Sequence, residues 1–236
     1  MIDNVIQDEK EVILEGEQLN HARNVLRLAV GDEITLLDGS GREYSAVIAA
    51  ASKHSMTAHI TGFTVGDKEA ATPVYLLCGA LKGDRTELVV QKAVELGVKK
   101  IGIFNSEYCS AYMNSAAKLD RLNKVAKEAT KQCMRSVAPE VVYFDKFSDA
   151  LASCEDYKNK LFACEFTQSS DVDLLKISGS TAIVVGSEGG FSEREFALAK
   201  EEYGFCGITL GKRILRAETA AISFTAVAMF LLGELG

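Results

Sequence analysis

Histidine is almost missing from this chain of 236 residues: the three present, His21, His54 and His59, all precede residue 60. A histidine general base from the remaining three quarters is thereby excluded, and with it a Ser-His-Asp or Cys-His site, unless the N-terminal part reaches across. The six cysteines are scattered, with no CxxC and no His/Cys cluster of zinc-like spacing. The simplest reading is a reduced, cytoplasmic protein without a structural metal. The longest nearly uncharged run, Ala220 to Gly233, is too short to span a bilayer and fits a buried or interface helix. Met1 to Lys10 is polar and acidic, without the apolar core of a signal peptide. No membrane role is expected. GxxxxGK[ST] is absent, as is GxGxxG followed by an acidic residue, which removes the P-loop and dinucleotide readings.

What is present is the composition of an ordinary globular protein, 47% apolar and 25% charged. The net charge of −7 argues against indiscriminate nucleic-acid binding. Its distribution is uneven. Acidic residues crowd the part before Thr72 (Asp3, Asp8, Glu9, Glu11, Glu15, Glu17, Asp32, Glu33), and the rest is nearly balanced. Within that remainder Lys118, Arg121, Lys124, Lys127, Lys131 and Arg135 recur at steps of three and four, a basic stripe if the segment is helical. A solvated helix face is the plain explanation of such a stripe.

Short β-branched or alternating runs fill the first third: Glu11 to Leu14, Glu33 to Leu37, Tyr44 to Ala49 and Met56 to Thr61, with Asp38-Gly39-Ser40-Gly41 as a turn between two of them. One helix pattern, Glu17 to Leu28, interrupts them, and within it Val25 is expected to face inward while His21 and Arg27 reach outward. A small β-barrel or sandwich is expected. From Pro73 the pattern changes to alternating strand and helix, ending in the apolar helix after Thr219, which predicts a mostly parallel sheet covered by helices. The boundary falls in the polar stretch from Gly66 to Pro73, dividing the chain into 1–70 and 73–236.

Two strand-to-helix loops lie close together in the second part. One is Val184-Val185-Gly186-Ser187-Glu188-Gly189-Gly190-Phe191-Ser192; the other runs Leu210-Gly211-Lys212-Arg213-Ile214-Leu215-Arg216-Ala217-Glu218-Thr219-Ala220. The glycine pair lets backbone approach a ligand, or makes a tight turn with nothing bound; Ser192 with Glu195 reads as a capping box. The second loop is denser in charge than a packing turn needs, and it opens into a helix whose amides can hold an anion. Its plain alternative is a surface loop with an Arg-Glu pair. Their proximity favours a shared pocket.

These two blocks, with His21 and Val25-Leu26-Arg27, Asp38-Gly39, Lys82-Gly83-Asp84, Lys92 with Glu95-Leu96-Gly97-Val98, and Gln132 with Arg135, carry a resemblance that runs nearly end to end. The chain resembles the RsmE family of 16S ribosomal RNA uridine-N3 methyltransferases, within the SPOUT superfamily of knotted, S-adenosylmethionine-dependent RNA methyltransferases. The resemblance implies a small PUA-like β-barrel domain followed by an α/β domain with a C-terminal trefoil knot. It also implies a homodimer packed through the knot helices, acting on 16S rRNA in the 30S subunit. S-adenosylmethionine would lie against Val185, Gly186, Glu188, Gly189, Gly190, Leu210, Gly211, Ile214, Leu215 and Thr219. RNA would meet His21, Arg23, Arg27, Lys82, Lys124, Lys131 and Arg135. The chain departs from the family pattern at Ser187 (usually proline), Tyr108 (usually arginine), Met134 in Lys131-Gln132-Cys133-Met134-Arg135, and the arginine-free start; these departures bear on the RNA side.

N3 of uridine carries a proton at neutral pH, so its methylation needs a base or cations where negative charge develops. Arg216, with Arg135, is the expected stabiliser of that anion, and Glu218 is expected to orient the arginine or accept the proton. Other knotted methyltransferases modify a ribose 2′-hydroxyl or a guanine, and a non-catalytic assembly factor could keep the same fold; product mapping and donor binding separate these readings.

Overall fold

The computed structural model describes all residues except 1, 3–5, 7–9, 114, 165–169, 172 and 236. Most of the arginine-free start therefore lies outside the described residues. The chain forms two compact units, Met1–Glu69 with Thr130–Ala138, and Ala70–Ala129 with Pro139–Gly236.

In the first unit strands β1 (Glu11–Leu14), β2 (Glu33–Leu37), β3 (Arg42–Ala51) and β4 (Met56–Val65) pair antiparallel in the order β1-β4-β3-β2. Alternation places Val12, Leu14, Leu36, Tyr44, Ala46, Ile48, Met56 and Ala58 on the inner face, where Leu19 and Ala22 complete the core. Leu19 comes from helix α1 (Gly16–Asn20), which widens into a π-helical turn over His21–Val25. The widening corrects one expectation. The Leu26 amide bonds the His21 carbonyl at 3.0 Å, five residues back, so regular helical spacing fails and Val25 is left 63% exposed while Ala22 is buried.

The second unit is built on six parallel strands. β5 (Val74–Gly79), β6 (Lys100–Phe104) and β7 (Glu140–Phe144) step to one side, whereas β8 (Asn159–Ala163), β9 (Thr181–Val185) and β10 (Cys206–Ile208) fill the other, giving the order β10-β8-β9-β5-β6-β7. β9 thus inserts between β5 and β8. Both β5 and β9 are buried along their whole length, which is why they read as unbroken apolar runs rather than alternating ones. Helices α2 (Arg85–Glu95), α3 (Ala116–Gln132), α4 (Phe147–Ala152), α5 (Glu193–Glu201) and α6 (Ala217–Leu231) connect and follow the strands. A cluster of Tyr75, Leu77, Phe104, Phe147, Phe162, Phe191 and Phe205 forms a hydrophobic core in this unit. Because Ala163 pairs with Val185 and with Ile208, the ends of β8, β9 and β10 lie level, and the loops leaving them converge.

α3 carries Lys118, Arg121, Lys124, Lys127 and Lys131, as the stripe implied. Arg135 is not on it. The helix ends at Gln132, Met134 turns to a positive φ of 61°, and Arg135 is directed inward, 3% exposed. No described helix is long and apolar enough to cross a membrane.

Candidate methyl-donor site

At the level strand ends of the second unit lies a cleft of about 1080 Å³. Its lining joins the two loops singled out by sequence. Val185, Gly186, Glu188, Gly189 and Gly190 come from one; Leu210, Gly211, Ile214, Leu215, Arg216 and Glu218 come from the other. The two loops leave β9 and β10, which β8 separates, so they meet across the carboxyl end of β8, where Ala163 and Cys164 join the lining.

The glycine loop is tightly built. Gly190, at φ +68°, returns its N–H to the Ser187 carbonyl at 2.9 Å. A β-carbon on Gly189 would meet the carbonyl and, at 2.7 Å, the Cβ of Tyr108, and one on Gly186 would meet the Phe191 ring at 3.0 Å. Bare backbone at these positions is therefore a packing requirement. Ser187 Oγ donates to the Tyr108 carbonyl at 3.4 Å, so two positions that depart from the family pattern touch each other. The expected capping box is present: Ser192 Oγ accepts from the Glu195 amide at 3.2 Å, and the Glu195 carboxylate accepts from Ser192 N–H at 2.9 Å and from Glu107 N–H at 2.8 Å.

Three expected site residues behave differently from their assigned parts. Thr219 is exposed and outside the cleft lining, because α6 starts at Ala217, two residues earlier than expected, and presents Ala217, Ala220 and Phe224 instead. Glu188 faces the chain itself: its Oε1 accepts from Lys82 N–H at 3.0 Å and from Arg85 Nη1 at 3.1 Å. Burial pushes its carboxyl up, and the amides of Lys82 and of Glu188 itself, then Arg85, outweigh that and hold it low. Glu218 does not pair with Arg216. Its Oε1 lies 3.8 Å from Arg85 Nε, and its Oε2 is buried without a hydrogen-bond partner among the described residues. Arg216 is exposed at the N-cap of α6 and, among the described residues, has no ion-pair partner.

Arg135 sits in the first unit, where Glu69 receives it through Nε at 3.2 Å and Nη2 at 2.7 Å. The remaining Glu69 oxygen takes the amides of Ser136 and Val137 at 3.2 and 3.0 Å. This arginine is a buried clamp rather than a cation directed at a ligand. Arg23 is likewise engaged, donating to the carbonyls of Ser52 and Lys53, whereas His21, Arg27 and Lys82 are exposed. On α3 Lys124 is exposed and Lys131 is half-buried. Sequence reasoning missed Arg85, Cys164, Phe191 and Phe224 in the lining; for Arg85 the available signal was its place at the start of the helix that follows Lys82-Gly83-Asp84. Burial pushes the Cys78 thiol up to about 12, which leaves it inert. Among the described residues no group of histidines, cysteines or carboxylates is placed to hold a metal.

The comparisons match this geometry. Residues 68–229 fit the family described as RNA methyltransferase domain, and residues 14–61 fit the RNA methyltransferase PUA domain. The chain is thus an RNA methyltransferase, a catalytic α/β domain preceded by a PUA domain. The ribosomal RNA small subunit methyltransferase E of Bacillus subtilis is 31% identical over 92% of this chain and 89% of its own length. The protein of that name from Neisseria gonorrhoeae, solved bound to S-adenosyl methionine, is 32% identical and superposes with a TM-score of 0.88 over 98% of this chain and 96% of the other. A putative methyltransferase from Legionella pneumophila, solved with the same molecule, is 28% identical with a TM-score of 0.85, covering 97% and 95% of the two chains. The chain belongs to the ribosomal RNA small subunit methyltransferase E family.

Proposed function

We propose that this protein methylates N3 of a uridine in 16S rRNA of the small subunit, with S-adenosylmethionine as donor, and that it does so in the cytoplasm. The observation that carries the reading is the cleft itself: a glycine loop and a cationic loop converge on Arg216 and on a buried oxygen of Glu218, both without a partner among the described residues. The residues fit the donor. Gly211, at φ +113° with open space beside its α-carbon, exposes main chain, and Leu210, Leu215 and Phe224 offer apolar surface for a purine. When bound, the donor supplies a methyl group made electrophilic by its sulfonium.

The chain supplies the rest. Arg216 stands where negative charge grows on the uracil as N3 loses its proton, and a charge-assisted contact there stabilises the transition state more than the neutral base. Glu218 Oε2, with no hydrogen-bond partner among the described residues, accepts the N3 proton. Arg135 takes no part, being held by Glu69. We take 1–70 as the RNA-binding domain and 73–236 as the methyltransferase domain. His21, Arg27, Lys82, Lys124 and Lys131 would supply salt-sensitive backbone affinity, and the target base would be unstacked to enter the cleft. The C-terminal segment would be threaded as a trefoil knot, and α6, of which Phe230 is 65% exposed, would pack against a second copy in a homodimer.

The test is to incubate 30S subunits lacking the modification with this protein and labelled donor, then to locate the label by mass spectrometry of the nucleosides. N3-methyluridine is the expected product. A label on a ribose oxygen or a guanine, or no donor binding by calorimetry, overturns the reading.

A further inference from the structure

Arg85 was assigned no role by sequence, yet it links the two loops of the cleft. Its guanidinium lies 3.1 Å from Glu188 Oε1 through Nη1 and 3.8 Å from Glu218 Oε1 through Nε. The two carboxylates depend on it unequally. Glu188 has a second anchor in the Lys82 amide at 3.0 Å. For Glu218, Arg85 is the only ion-pair partner among the described residues, and the carboxylate is only 15% exposed. A carboxylate that deep without its cation would lose both its charge compensation and its fixed rotamer.

Geometry carries the consequence. Oε1 is the oxygen that faces Arg85, and Oε2 is the buried oxygen that finds no hydrogen-bond partner among the described residues. An acceptor held in place but left unsatisfied is pre-organised for a donor that arrives with the ligand. We propose that Arg85 is a positioning residue for methyl transfer: it holds the Glu218 carboxylate so that Oε2 receives the N–H of the base as the N–C bond forms and the sulfonium S–C bond breaks. The N–H proton passes to Oε2, and the donor leaves as the neutral thioether. The inference rests on the function proposed above.

A double-mutant cycle tests it. Single-turnover methyl transfer is measured on 30S subunits for the unaltered protein, Arg85→Met, Glu218→Gln and the double variant, with donor affinity by calorimetry and thermal melts as controls. Arg85→Met is expected to slow transfer by about 10- to 100-fold, the scale of a misplaced catalytic group, with donor affinity within about threefold because Glu188 keeps the Lys82 amide. In the Glu218→Gln background the same change should cost less than about twofold, since the group it positions is already disabled. Arg85→Lys keeps the charge and should recover part of the rate; Arg85→Gln, which removes the charge and keeps a polar side chain, replaces Arg85→Met in the cycle if that variant does not fold. Multiplicative slowing in the double variant, or a loss explained entirely by weaker donor binding, overturns the proposal. A product other than N3-methyluridine overturns the preceding functional reading instead, and the cycle is then scored on the nucleoside actually formed.

Discussion

Asp38 is almost fully buried in the first unit, yet its carboxyl sits below the usual range. Burial pushes it up; the Ser40 hydroxyl at 2.6 Å, the Ser40 amide at 2.9 Å and the Ile6 amide at 2.9 Å outweigh that. A carboxyl depressed in the folded state contributes stability that is present above its unfolded value of about 3.9 and is lost as pH falls through the folded one. Asp38→Asn should therefore lower stability at neutral pH by about 1–3 kcal/mol and weaken its decline in acid, read from urea melts at pH 7 and below pH 4. A parent and variant with parallel pH curves would contradict it. In the second unit Arg216→Ala should reduce methyl transfer by roughly 100-fold with donor affinity little changed, because its contact strengthens only as charge develops. Equal losses in donor binding and rate would instead make Arg216 a donor-binding residue.

At the scale of elements, the glycine loop is held from outside by the 105–113 segment. Tyr108 leaves no room for a side chain on Gly189, and Glu107 hands its amide to the cap of α5. Gly189→Ala forces two backbones apart, with an expected cost of about 1–3 kcal/mol and, if the loop yields, a roughly tenfold or greater loss in donor affinity by calorimetry. Glu195→Ala removes one half of the capping box and leaves the Glu107 amide unpaired, at a cost of about 1–2 kcal/mol seen as a lower melting temperature. Should Glu195→Ala melt like its parent, the cap would have no energetic role. The α1 region shows the limit of periodicity as a guide: a π-helical turn adds a residue per turn, and every inside-outside assignment after it shifts.

For the whole molecule the basic stripe of α3 is the feature with the largest consequence for RNA. If Lys124 and Lys131 contact phosphates, Lys124→Glu with Lys131→Glu should weaken rRNA binding and lower the salt slope of log K by about 1 per lysine, measured by titration at several ionic strengths. An unchanged slope would return the stripe to a solvated helix face. The same experiment on Arg135 would mislead, because Arg135 and Glu69 form a buried pair, and breaking such a pair costs about 3–5 kcal/mol of stability. A loss of binding in Arg135→Ala would therefore report unfolding of the first unit before it reported a lost RNA contact.

Much of this protein is written in short-range chemistry. Glycine after β-branched runs marked both cleft loops, Ser192 with Glu195 marked a helix start, and unbroken apolar runs marked β5 and β9, because turn geometry, capping and burial on two faces act through neighbouring residues. Tertiary structure decided the partners. That Glu218 faces Arg85 rather than Arg216, that Glu188 is tied to the Lys82 amide, and that Arg135 belongs to Glu69 follow from strand order and helix ends. The 133-residue separation of Arg85 from Glu218 (218 − 85) closes because α6, which carries Glu218, returns from β10 to pack against α2, which opens with Arg85. A sequence states which charges exist; the sheet determines which of them come within a few ångströms, and at that range the distance sets the chemistry.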